Sequence, residues 1–475
     1  RICSCSFLTV CMTYQWLLRT LDDPGVVTRL QPRLNDLPAA LTRALAVREV
    51  DSFEAARDFF RASRDDLHDP FSMADMERAA ERVAQAIESG ESVLVYGDYD
   101  VDGTTATAMC TDFLRQHEVP TTFFIPDRYR DGYGLCTRGI DKAVEQGASL
   151  IIALDCGITA HDEADYAREQ GLDLIICDHH TPKDTLPDAY AVLDPKREDC
   201  AYPFNELSGA GVGFKLLQAT QRIRSASEDR VFDYLDLLGI SIASDIVPMY
   251  DENRILMHEG LEAIRTTERI GLRALADAAE LDLTTVTTTG NIVFTIGPRI
   301  NAAGRMAHAN KAVNLMLERD PATAREQAEE LEQLNKERRS LDERIRKEAT
   351  KQAERHITAR TSHALVLYDP DWHLGVIGLV ASRIVEQFYK PTIMLTRNGD
   401  FVKGSARSIS GVNIYKALTD CEDLLTQFGG HDYAAGMSLP EKNVSAFRDR
   451  FNEAIAERIT PELLTPTIKV DAHVD

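Results

Sequence analysis

The stretch VLVYGDYDVDGTT, residues 93–105, decides how the rest of the chain is interpreted. Its apolar beginning, residues 93–95, predicts a short buried strand that ends at Gly97. Three carboxylates then occupy every second position, at Asp98, Asp100 and Asp102. If the chain stays extended, alternate residues share one face, where these carboxylates would repel one another unless cations lie among them.

Carboxylate oxygens are the ligands that hard divalent cations such as Mg²⁺ and Mn²⁺ prefer. Acidic residues at the carboxyl end of a parallel strand also lie where open α/β sheets bind ligands. A solvated acidic turn and a calcium loop are the alternatives. The calcium loop is disfavoured because Thr107 and Cys110 stand where its later acidic ligands would be needed. The stretch therefore favours a catalytic metal site.

The composition is that of an acidic globular protein large enough for about two to four domains. The chain has 475 residues, of which 44% are hydrophobic and 27% charged. Its 76 acidic against 53 basic side chains give a net charge of −23. That balance argues against a general nucleic-acid binder, which would carry a basic surface, but leaves room for local basic grooves. A salt-adapted host is another source of the acidic excess.

Cysteine usage indicates a reducing compartment. Nine cysteines are scattered without a Cys-x-x-Cys pair: Cys3, Cys5, Cys11, Cys110, Cys136, Cys156, Cys177, Cys200 and Cys421. An odd, scattered set predicts neither structural disulfides nor a zinc site. Residues 2–12 are apolar but too short to span a membrane, although their length also suits the core of a signal peptide. We expect a cytoplasmic protein with no membrane association.

Alternation of apolar runs and helical patterns predicts a parallel sheet covered by helices on both faces. The predicted strands are residues 93–97, 121–125, 150–154, 173–177 and 189–193. A helical and amphipathic lead-in, residues 13 to about 75, precedes them. The recurrence of short β-branched runs after each helix is typical of an α/β domain.

Three of these strands end in acidic or imidazole side chains. After the first acidic set come Asp155 and the run Asp178-His179-His180. Because the carboxyl ends of parallel strands meet at one edge, these side chains should lie close together. A lone histidine is more often structural, but two histidines beside several strand-terminal acids favour metal ligands. Asp245, at the end of another apolar run, either caps a helix or completes the ligand set.

Two glycine-rich stretches are candidates for phosphate binding. Residues 208–215, SGAGVGFK, open a helix and either cradle a phosphate through backbone N–H groups or allow close helix packing. Residues 297–311, GPRINAAGRMAHANK, form a basic patch that we expect to be a loop entering a helix. A polar structural junction is the alternative there.

The second half of the chain predicts a connector and a second lobe. Asp320-Pro321 begins a long, mostly charged helix that reaches about His356 with one apolar stripe. An α/β pattern follows, from residue 364 to about 459. It contains KGSARS at 403–408 and the glycine-rich FGGHDYAAG at 428–436, which we expect to be a loop. Residues 467–472 begin a further strand.

The combination of these motifs resembles a known family. YGDYDVDGTT, LDCGI, CDHH and SIASD resemble the DHH phosphoesterases. GPRINAAGR, KGSARS and FGGHDYAAG are similar to the branch of single-strand-specific 5′→3′ DNA exonucleases within that family. The resemblance runs from about Asp69 to the end of the chain. Residues before about 20 do not share it, which fits a spurious start.

The resemblance implies an α/β fold in which a parallel-sheet DHH domain is joined by the long connector helix to a smaller α/β domain. The expected segments are a helical lead-in (1–68), the catalytic domain (69–270) and a connector with a phosphate-contact loop (271–360). A nucleic-acid-binding domain (361–460) follows. Family members carry an OB-fold after that domain, so residues 461–475 are expected to be the first strand of a truncated one.

The resemblance also implies the roles of individual residues. One or two Mn²⁺ or Mg²⁺ ions, two by the family's mechanism, would be held by Asp98, Asp100, Asp102, Asp155, His179 and Asp245. Catalysis would rest on Asp155, His179 and His180, with His180 facing the phosphate. Contacts to DNA phosphates would come from Arg128, Arg130, Arg299, Asn301, Arg305, Ser405, Arg407, Gly429, Gly430 and His431.

The implied activity is two-metal-ion hydrolysis of single-stranded DNA from a 5′ end to 5′ mononucleotides, in DNA repair and recombination. The implied partners, besides the DNA strand, are single-strand-binding protein and a helicase. One alternative is a phosphoesterase of the same family that acts on nanoRNA, cyclic dinucleotides or a nucleotide bisphosphate. A non-catalytic replication scaffold of the same fold is the other, although every acidic ligand position is filled here.

Overall fold

Residues 14–359 and 362–474 are described by a computed structural model, which divides the chain into two compact units. One unit is Asp58–Lys336. The other contains the described residues up to Arg57 together with those from Glu337 onward. The first three cysteines and the apolar stretch 2–12 lie outside the described residues, and the six described cysteines are free.

The first half of the chain begins with strand β1 and helices α1–α3 and then builds the sheet that carries the acidic residues. The early elements are β1 (Gln15–Leu18), α1 (Val26–Leu30), α2 (Ala39–Ala46) and α3 (Phe53–Phe60). Those of the sheet region are α4 (Met76–Ser89), β2 (Val93–Gly97), α5 (Val101–Gln116), β3 (Thr121–Phe124), α6 (Thr137–Glu145), β4 (Leu150–Leu154), α7 (His161–Glu169), β5 (Asp173–Cys177) and β6 (Ala191–Leu193).

The five strands form an entirely parallel sheet in the order β3-β2-β4-β5-β6. Alternation along β2 gives it two buried faces: Val93 and Val95 join the core with α4 and α5, whereas Leu94 and Tyr96 join the core with α6 and α7. The predicted parallel sheet, covered on both faces, is confirmed. All strand ends that carry acids therefore point to one edge.

A helical layer completes this unit. Its elements are α8 (Gly209–Ile223), α9 (Asp229–Phe232), α10 (Leu235–Asp245), α11 (Asp251–Thr266), α12 (Ile270–Ala278), α13 (Thr289–Asn291), a π-helical segment (Ile292–Ile296), α14 (Gly297–Met306), α15 (Asn310–Leu317) and α16 (Pro321–Ala359). The long helix α16 confirms the predicted connector, and the boundary between the units falls within it. Leu331, Ile345 and Ala349 of its predicted apolar stripe are fully buried.

The other unit is built on a mixed sheet. Its elements are β7 (Leu365–Tyr368), α17 (Leu374–Phe388), β8 (Thr392–Asn398), β9 (Phe401–Arg407), α18 (Ile414–Thr419), β10 (Gln427–Gly430), β11 (Ala434–Leu439), α19 (Val444–Ala456) and β12 (Thr467–Val470). The strand order is β10-β11-β9-β8-β7, with only the β7–β8 pair parallel. The predicted second α/β domain is confirmed.

Three sequence-based expectations of local structure are wrong. Residues 297–306 form helix α14 rather than a loop, and most of 428–436 forms the hairpin β10–β11. Gln15–Leu18 is a strand although the lead-in was expected to be helical, and it pairs in parallel with the expected terminal strand Thr467–Val470. Arg43 supports this pairing, because its Nε donates to the carbonyl oxygen of Asp471 at 2.9 Å.

Among the described helices, none combines the length and the apolar character that crossing a lipid bilayer requires.

Candidate metal centre

The acidic stretch after β2 turns into a helix instead of staying extended, which corrects the expectation from alternate positions. Asp100 is the N-cap of α5, and its Oδ1 accepts a hydrogen bond from Gly103 N at 3.1 Å. Asp102 consequently lies in the first turn of α5, and Asp98 remains in the connection that follows β2. The three carboxylates are therefore distributed around a strand-to-helix turn.

Side chains from three further elements reach the same place. Asp155 follows β4, His179 follows β5, and Asp245 is the last residue of α10. His179 Nε2 lies 3.2 Å from an Asp155 oxygen, 3.6 Å from Asp245 and 3.8 Å from Asp102. The prediction that the strand-terminal groups meet at one sheet edge is thus realised in the geometry.

All six predicted ligands fall into two adjacent groups, each of which could hold a cation. The groups are Asp98, Asp100 and Asp155, and Asp102, His179 and Asp245, with the ligand atoms of each within 4.8 Å of one another. A further combination joins Asp155 and His179 to His180. Asp155 therefore lies where two adjacent cations would share a ligand.

The polar atoms of this cluster fit a divalent cation. Neither ring nitrogen of His179 makes a well-directed hydrogen bond within the described part of the chain, and Asp98 Oδ1 also has none. Buried polar atoms are normally paired, so orphaned atoms at one spot point to a missing partner. Carboxylate oxygens with an imidazole nitrogen are a donor set that Mn²⁺ and Mg²⁺ accept.

The glycine-rich start of α8 holds a carboxylate of the cluster. Gly209 N donates to Asp102 Oδ2 at 2.6 Å and Ala210 N donates to Oδ1 at 2.9 Å. Ser241 Oγ donates to the same Oδ1 at 2.6 Å. The phosphate cradle considered for residues 208–215 is therefore occupied by Asp102, and the close-packing alternative is the correct one.

Asp178 positions His180 and stands apart from the ligand groups. Its carboxylate accepts hydrogen bonds from three backbone N–H groups, those of Ile158, His179 and His180, and from His180 Nδ1 at 2.7 Å. Although burial acts in the opposite direction, the bond to His180 and these N–H groups lower the pKa of Asp178 to about 2. The same carboxylate, against the effect of burial, raises the pKa of His180 to about 9.

Tyr133 approaches the exposed side of His180. Its hydroxyl oxygen lies 3.2 Å from His180 Nε2, and its side chain remains 56% exposed. The two rings make an edge contact with centroids 5.9 Å apart. The structure therefore places the Tyr133 hydroxyl against His180.

The electrostatics of the cluster favour cations. Burial, followed by neighbouring carboxylates, raises the pKa of Asp98, Asp100 and Asp155 above the usual value. The same causes raise the pKa of Asp245 to about 7. Burial lowers the pKa of His179, which keeps the imidazole in the neutral form that binds metals. Without cations, the protein would retain protons on some of these carboxylates.

Sequence reasoning missed Asp194, which stands at the end of β6. It is fully buried, and its Oδ2 has no hydrogen-bond partner among the described residues. Burial raises its pKa to about 7. The rule that identified Asp155 applies equally here, because the dipeptide Asp194-Pro195 follows a short apolar strand. Ser241, inside an apolar helix, had no comparable signal.

Two of the predicted basic residues lie close to Tyr99, which stands within the acidic stretch. Arg128 lies over the ring of Tyr99 at 4.6 Å, and the hydroxyl of Tyr129 donates to the carbonyl oxygen of Arg305. Helix α14 approaches this region closely, since a Cβ on Gly304 would lie 2.6 Å from the carbonyl oxygen of Tyr99. Arg128 and Arg305 are thus grouped beside the acidic turn.

The remaining predicted phosphate contacts of this unit are placed differently. Arg299 is buried, and its Nε lies 2.6 Å from a carboxylate oxygen of Glu332 while Nη1 donates to the carbonyl oxygen of Thr295. Because that guanidinium is already neutralised, its position does not support a phosphate contact. Asn301 is half-buried on α14, and Arg130 is exposed.

In the other unit, two predicted residues lie together on β9. Arg407 Nη1 donates to Ser405 Oγ at 3.0 Å, and a Cβ on Gly378 of α17 would lie 2.9 Å from that Oγ. Gly429 and Gly430 belong to the edge strand β10, and His431 lies in the turn that follows it. KGSARS is therefore a strand, with its hydroxyl and guanidinium on one face.

The comparisons with known proteins agree with this architecture. Residues 92–242 match the DHH family N-terminal domain, and residues 361–457 match the DHHA1 domain. The chain is 40% identical over 451 residues to the single-stranded-DNA-specific exonuclease RecJ of Bacillus subtilis, covering 94% of this chain and 56% of that relative. It is 36% identical over 450 residues to RecJ of Salmonella typhimurium, covering 90% of this chain and 77% of the relative.

A solved structure shows the same fold. The crystal structure of RecJ in complex with Mn²⁺ from Thermus thermophilus matches with a TM-score of 0.82 and 30% identity, covering 96% of this chain and 64% of that one. The parallel sheet with its acidic edge, joined by a long helix to a mixed-sheet domain, defines a protein of the DHH–DHHA1 class. Within that class, the chain belongs to the RecJ family.

Proposed function

We propose that this chain is a metal-dependent exonuclease that hydrolyses single-stranded DNA from the 5′ end to 5′ mononucleotides. The observation that carries the proposal is the pair of ligand groups at one sheet edge, which a third combination of Asp155, His179 and His180 connects. The substrate class is supported by the name that the RecJ relatives bear. The chain covers 56% of the Bacillus subtilis relative's length, so its activity is a subject for direct test.

We assign the residues of the cluster to two roles, which are binding cations and orienting His180. We assign two divalent cations, Mn²⁺ or Mg²⁺, to the six ligands Asp98, Asp100, Asp102, Asp155, His179 and Asp245. When bound, such ions activate a water and stabilise the attacking and leaving oxygens of an in-line displacement. Asp178 fixes the ring of His180 through Nδ1, so that Nε2, beside the Tyr133 hydroxyl, would donate to a non-bridging phosphate oxygen.

We assign contacts with the DNA strand to the basic residues beside the acidic stretch. Arg128 and Arg305, beside Tyr99, would contact backbone phosphates, with Asn301 and Arg130 near them on the same unit. Ser405 and Arg407 would bind the 5′-terminal phosphate, together with the backbone of Gly429 and Gly430 and the side chain of His431. Contacts of this kind read the backbone rather than the sequence, so affinity should fall as salt increases.

We further propose a cytoplasmic location, and we propose single-strand-binding protein and a helicase as partners. A helicase would supply the unpaired 5′ strand that this activity consumes. The cytoplasmic location is supported by the odd, scattered cysteines of the sequence, of which the six described ones are free.

The proposed function is tested with oligonucleotides of equal length and defined ends. With Mn²⁺, we expect 5′ mononucleotides from a 5′-phosphorylated single strand, and little product from the duplex or from a 5′-blocked strand. A 3′-blocked strand serves as the matched control and should be degraded normally. Release from the 3′ end, or preference for a dinucleotide over the long strand, would contradict the proposal.

Metal binding should stabilise the protein more at alkaline than at acidic pH. Carboxylates with raised pKa values bind more protons in the folded than in the unfolded state, so the metal-free protein loses stability as pH rises from about 4 through about 7. Bound cations offset that loss. We therefore expect the Mn²⁺-induced increase in Tm to grow between about pH 5.5 and about pH 8.

The measurement is thermal unfolding with either EDTA or Mn²⁺ at each pH. At acidic pH the protein should lose stability for a different reason. Asp178 has a pKa of about 2 in the folded protein, so the stability that its charge contributes is lost only as the pH falls well below 4. An increase in Tm that is equal at both pH values would show that the carboxylates do not bind the ion.

A further inference from the structure

Two large apolar side chains are left exposed beside the candidate metal centre. Ile246 is 79% exposed and immediately follows the ligand Asp245. Phe294 is 76% exposed in the middle of the π-helical segment Ile292–Ile296. An exposed apolar side chain gains nothing from the protein's own core, so a pair beside a site needs another explanation.

Ile246 is also held in a strained conformation. Its backbone has φ 60° and ψ 32°, the left-handed region that a β-branched residue adopts only at an energetic cost. Asparagine or glycine would end α10 at this position without that strain. The chain instead places a bulky aliphatic group in solvent directly after a predicted metal ligand. Strain of this kind is found preferentially at functional sites.

The π-helical segment presents Phe294 in a comparable way. Ile292 and Ile296 on either side are buried, which anchors the segment and turns Phe294 outward. The segment packs against α10, and a Cβ on Gly297 at its end would lie 3.0 Å from Ser244 Oγ. Phe294 and Ile246 therefore belong to two elements that are in contact next to Asp245. Single-turn π segments frequently occur at functional sites.

We propose that Ile246 and Phe294 form a base-contact patch, which receives unpaired nucleobases of the strand being cleaved. The inference rests on the proposed function and adds a determinant of single-strand specificity. Nucleobases are the apolar part of that substrate, and Phe294 would stack on a base face while Ile246 packs against it. Helix α14 continues directly from the segment and carries Asn301 and Arg305 for the phosphates.

The base-contact patch would distinguish single-stranded from duplex DNA by whether the faces of the bases are exposed. In a duplex, base faces are stacked on one another and are not available to an aromatic side chain. In a single strand they are free, so the patch adds binding energy only for unpaired DNA. Discrimination would then come from contact chemistry beside the metal centre in addition to any limit on access.

The decisive experiment compares a normal and an abasic strand. Both substrates are 5′-phosphorylated single strands of equal length, and the second has abasic sites at its first positions. Phe294→Ala should raise KM on the normal strand about tenfold, with kcat changed little, because the variant loses the stacking of a base on the aromatic ring. On the abasic strand the same variant should match the wild type, and Phe294→Trp should restore binding of the normal strand.

Two further variants separate this role from a structural one. Phe60→Ala removes another exposed phenylalanine, which is 62% exposed on α3, and should leave both KM values unchanged. Ile246→Asn should raise Tm, because asparagine tolerates the left-handed region, while it raises KM on the normal strand. A purely structural role for Ile246 would not give these opposite signs.

The outcomes distinguish the inference from the function beneath it. If wild-type protein degrades neither strand, the proposed function fails and the base-contact patch fails with it. If wild-type protein degrades the normal strand but Phe294→Ala has no effect, or affects both strands equally, only the base-contact patch is overturned. An equal loss on both strands would indicate that Phe294 supports the fold.

Discussion

Replacing Asp155 by asparagine should reduce exonuclease activity by at least about a thousandfold while the fold is retained. Asp155 takes part in two of the three ligand combinations, so its loss removes a shared ligand and several kcal/mol of transition-state stabilisation. Asparagine is the appropriate substitution because Asp155 has φ 62°, a left-handed conformation that asparagine tolerates and alanine does not.

Although Asp155→Asn should lower activity, it should increase the stability of the metal-free protein. Burial and the neighbouring carboxylates raise the pKa of Asp155, which means that its charge destabilises the metal-free protein near neutral pH. Asp155→Asn should therefore raise Tm in EDTA and reduce the additional increase that Mn²⁺ causes. Asp188→Asn, which alters an exposed aspartate paired with Arg168, is the matched control and should behave as wild type. Activity of Asp155→Asn within tenfold of wild type would exclude a ligand role.

Gly209→Ala should also reduce activity strongly, although less than Asp155→Asn does and although glycine carries no functional group. A Cβ at this position would lie 2.6 Å from Asp155 Cβ, 2.7 Å from its Cα and 2.9 Å from its Oδ1. The backbone of Gly209 also donates to Asp102 at 2.6 Å. One methyl group would thus separate α8 from the end of β4 and displace two ligands together.

We expect Gly209→Ala to lower kcat/KM by about a hundredfold, since a displacement near 1 Å at a catalytic group has an effect of that size. Overpacking should also lower Tm, by an amount that corresponds to about 1–3 kcal/mol. Gly211→Ala is the matched control on the same helix turn, because its Cβ would meet nothing closer than 3.3 Å. Comparable losses in both variants would show that the effect is a general one on α8.

The sequence predicted the parts of the fold that local patterns determine. Continuous β-branched runs such as 150–154 and 173–177 are buried on both faces, and this requires a parallel sheet with helices on each side. Once the strands were placed, the common edge of Asp155 and His179 followed from topology alone. The cluster of acidic residues and His179 could be predicted because each member lies close to the end of a recognisable strand or helix.

The expectations that the structure does not support concern features that are determined by contacts between residues distant in the sequence. The glycines of α14 suggested a loop, yet Gly304 is required for close approach of a helix to Tyr99. Arg299 suggested a phosphate contact, yet its partner is Glu332 on α16, which no local pattern reveals. KGSARS became a strand because β8 and β11 flank it, so pairing overrode its loop-like composition.

The hydrogen bonds that hold Asp102 have a consequence for how the protein acquires its metal. Two backbone N–H groups and one hydroxyl already hold this carboxylate, so the ligand cage is assembled by the polypeptide itself. Proteins whose cage forms only around the ion, such as zinc fingers, are unfolded until the ion arrives. Here the chain would instead be folded, with Asp102 already in position, before the ion binds. Its ion would be chosen by exchange with the cell's free metal pool and could change as that pool changes.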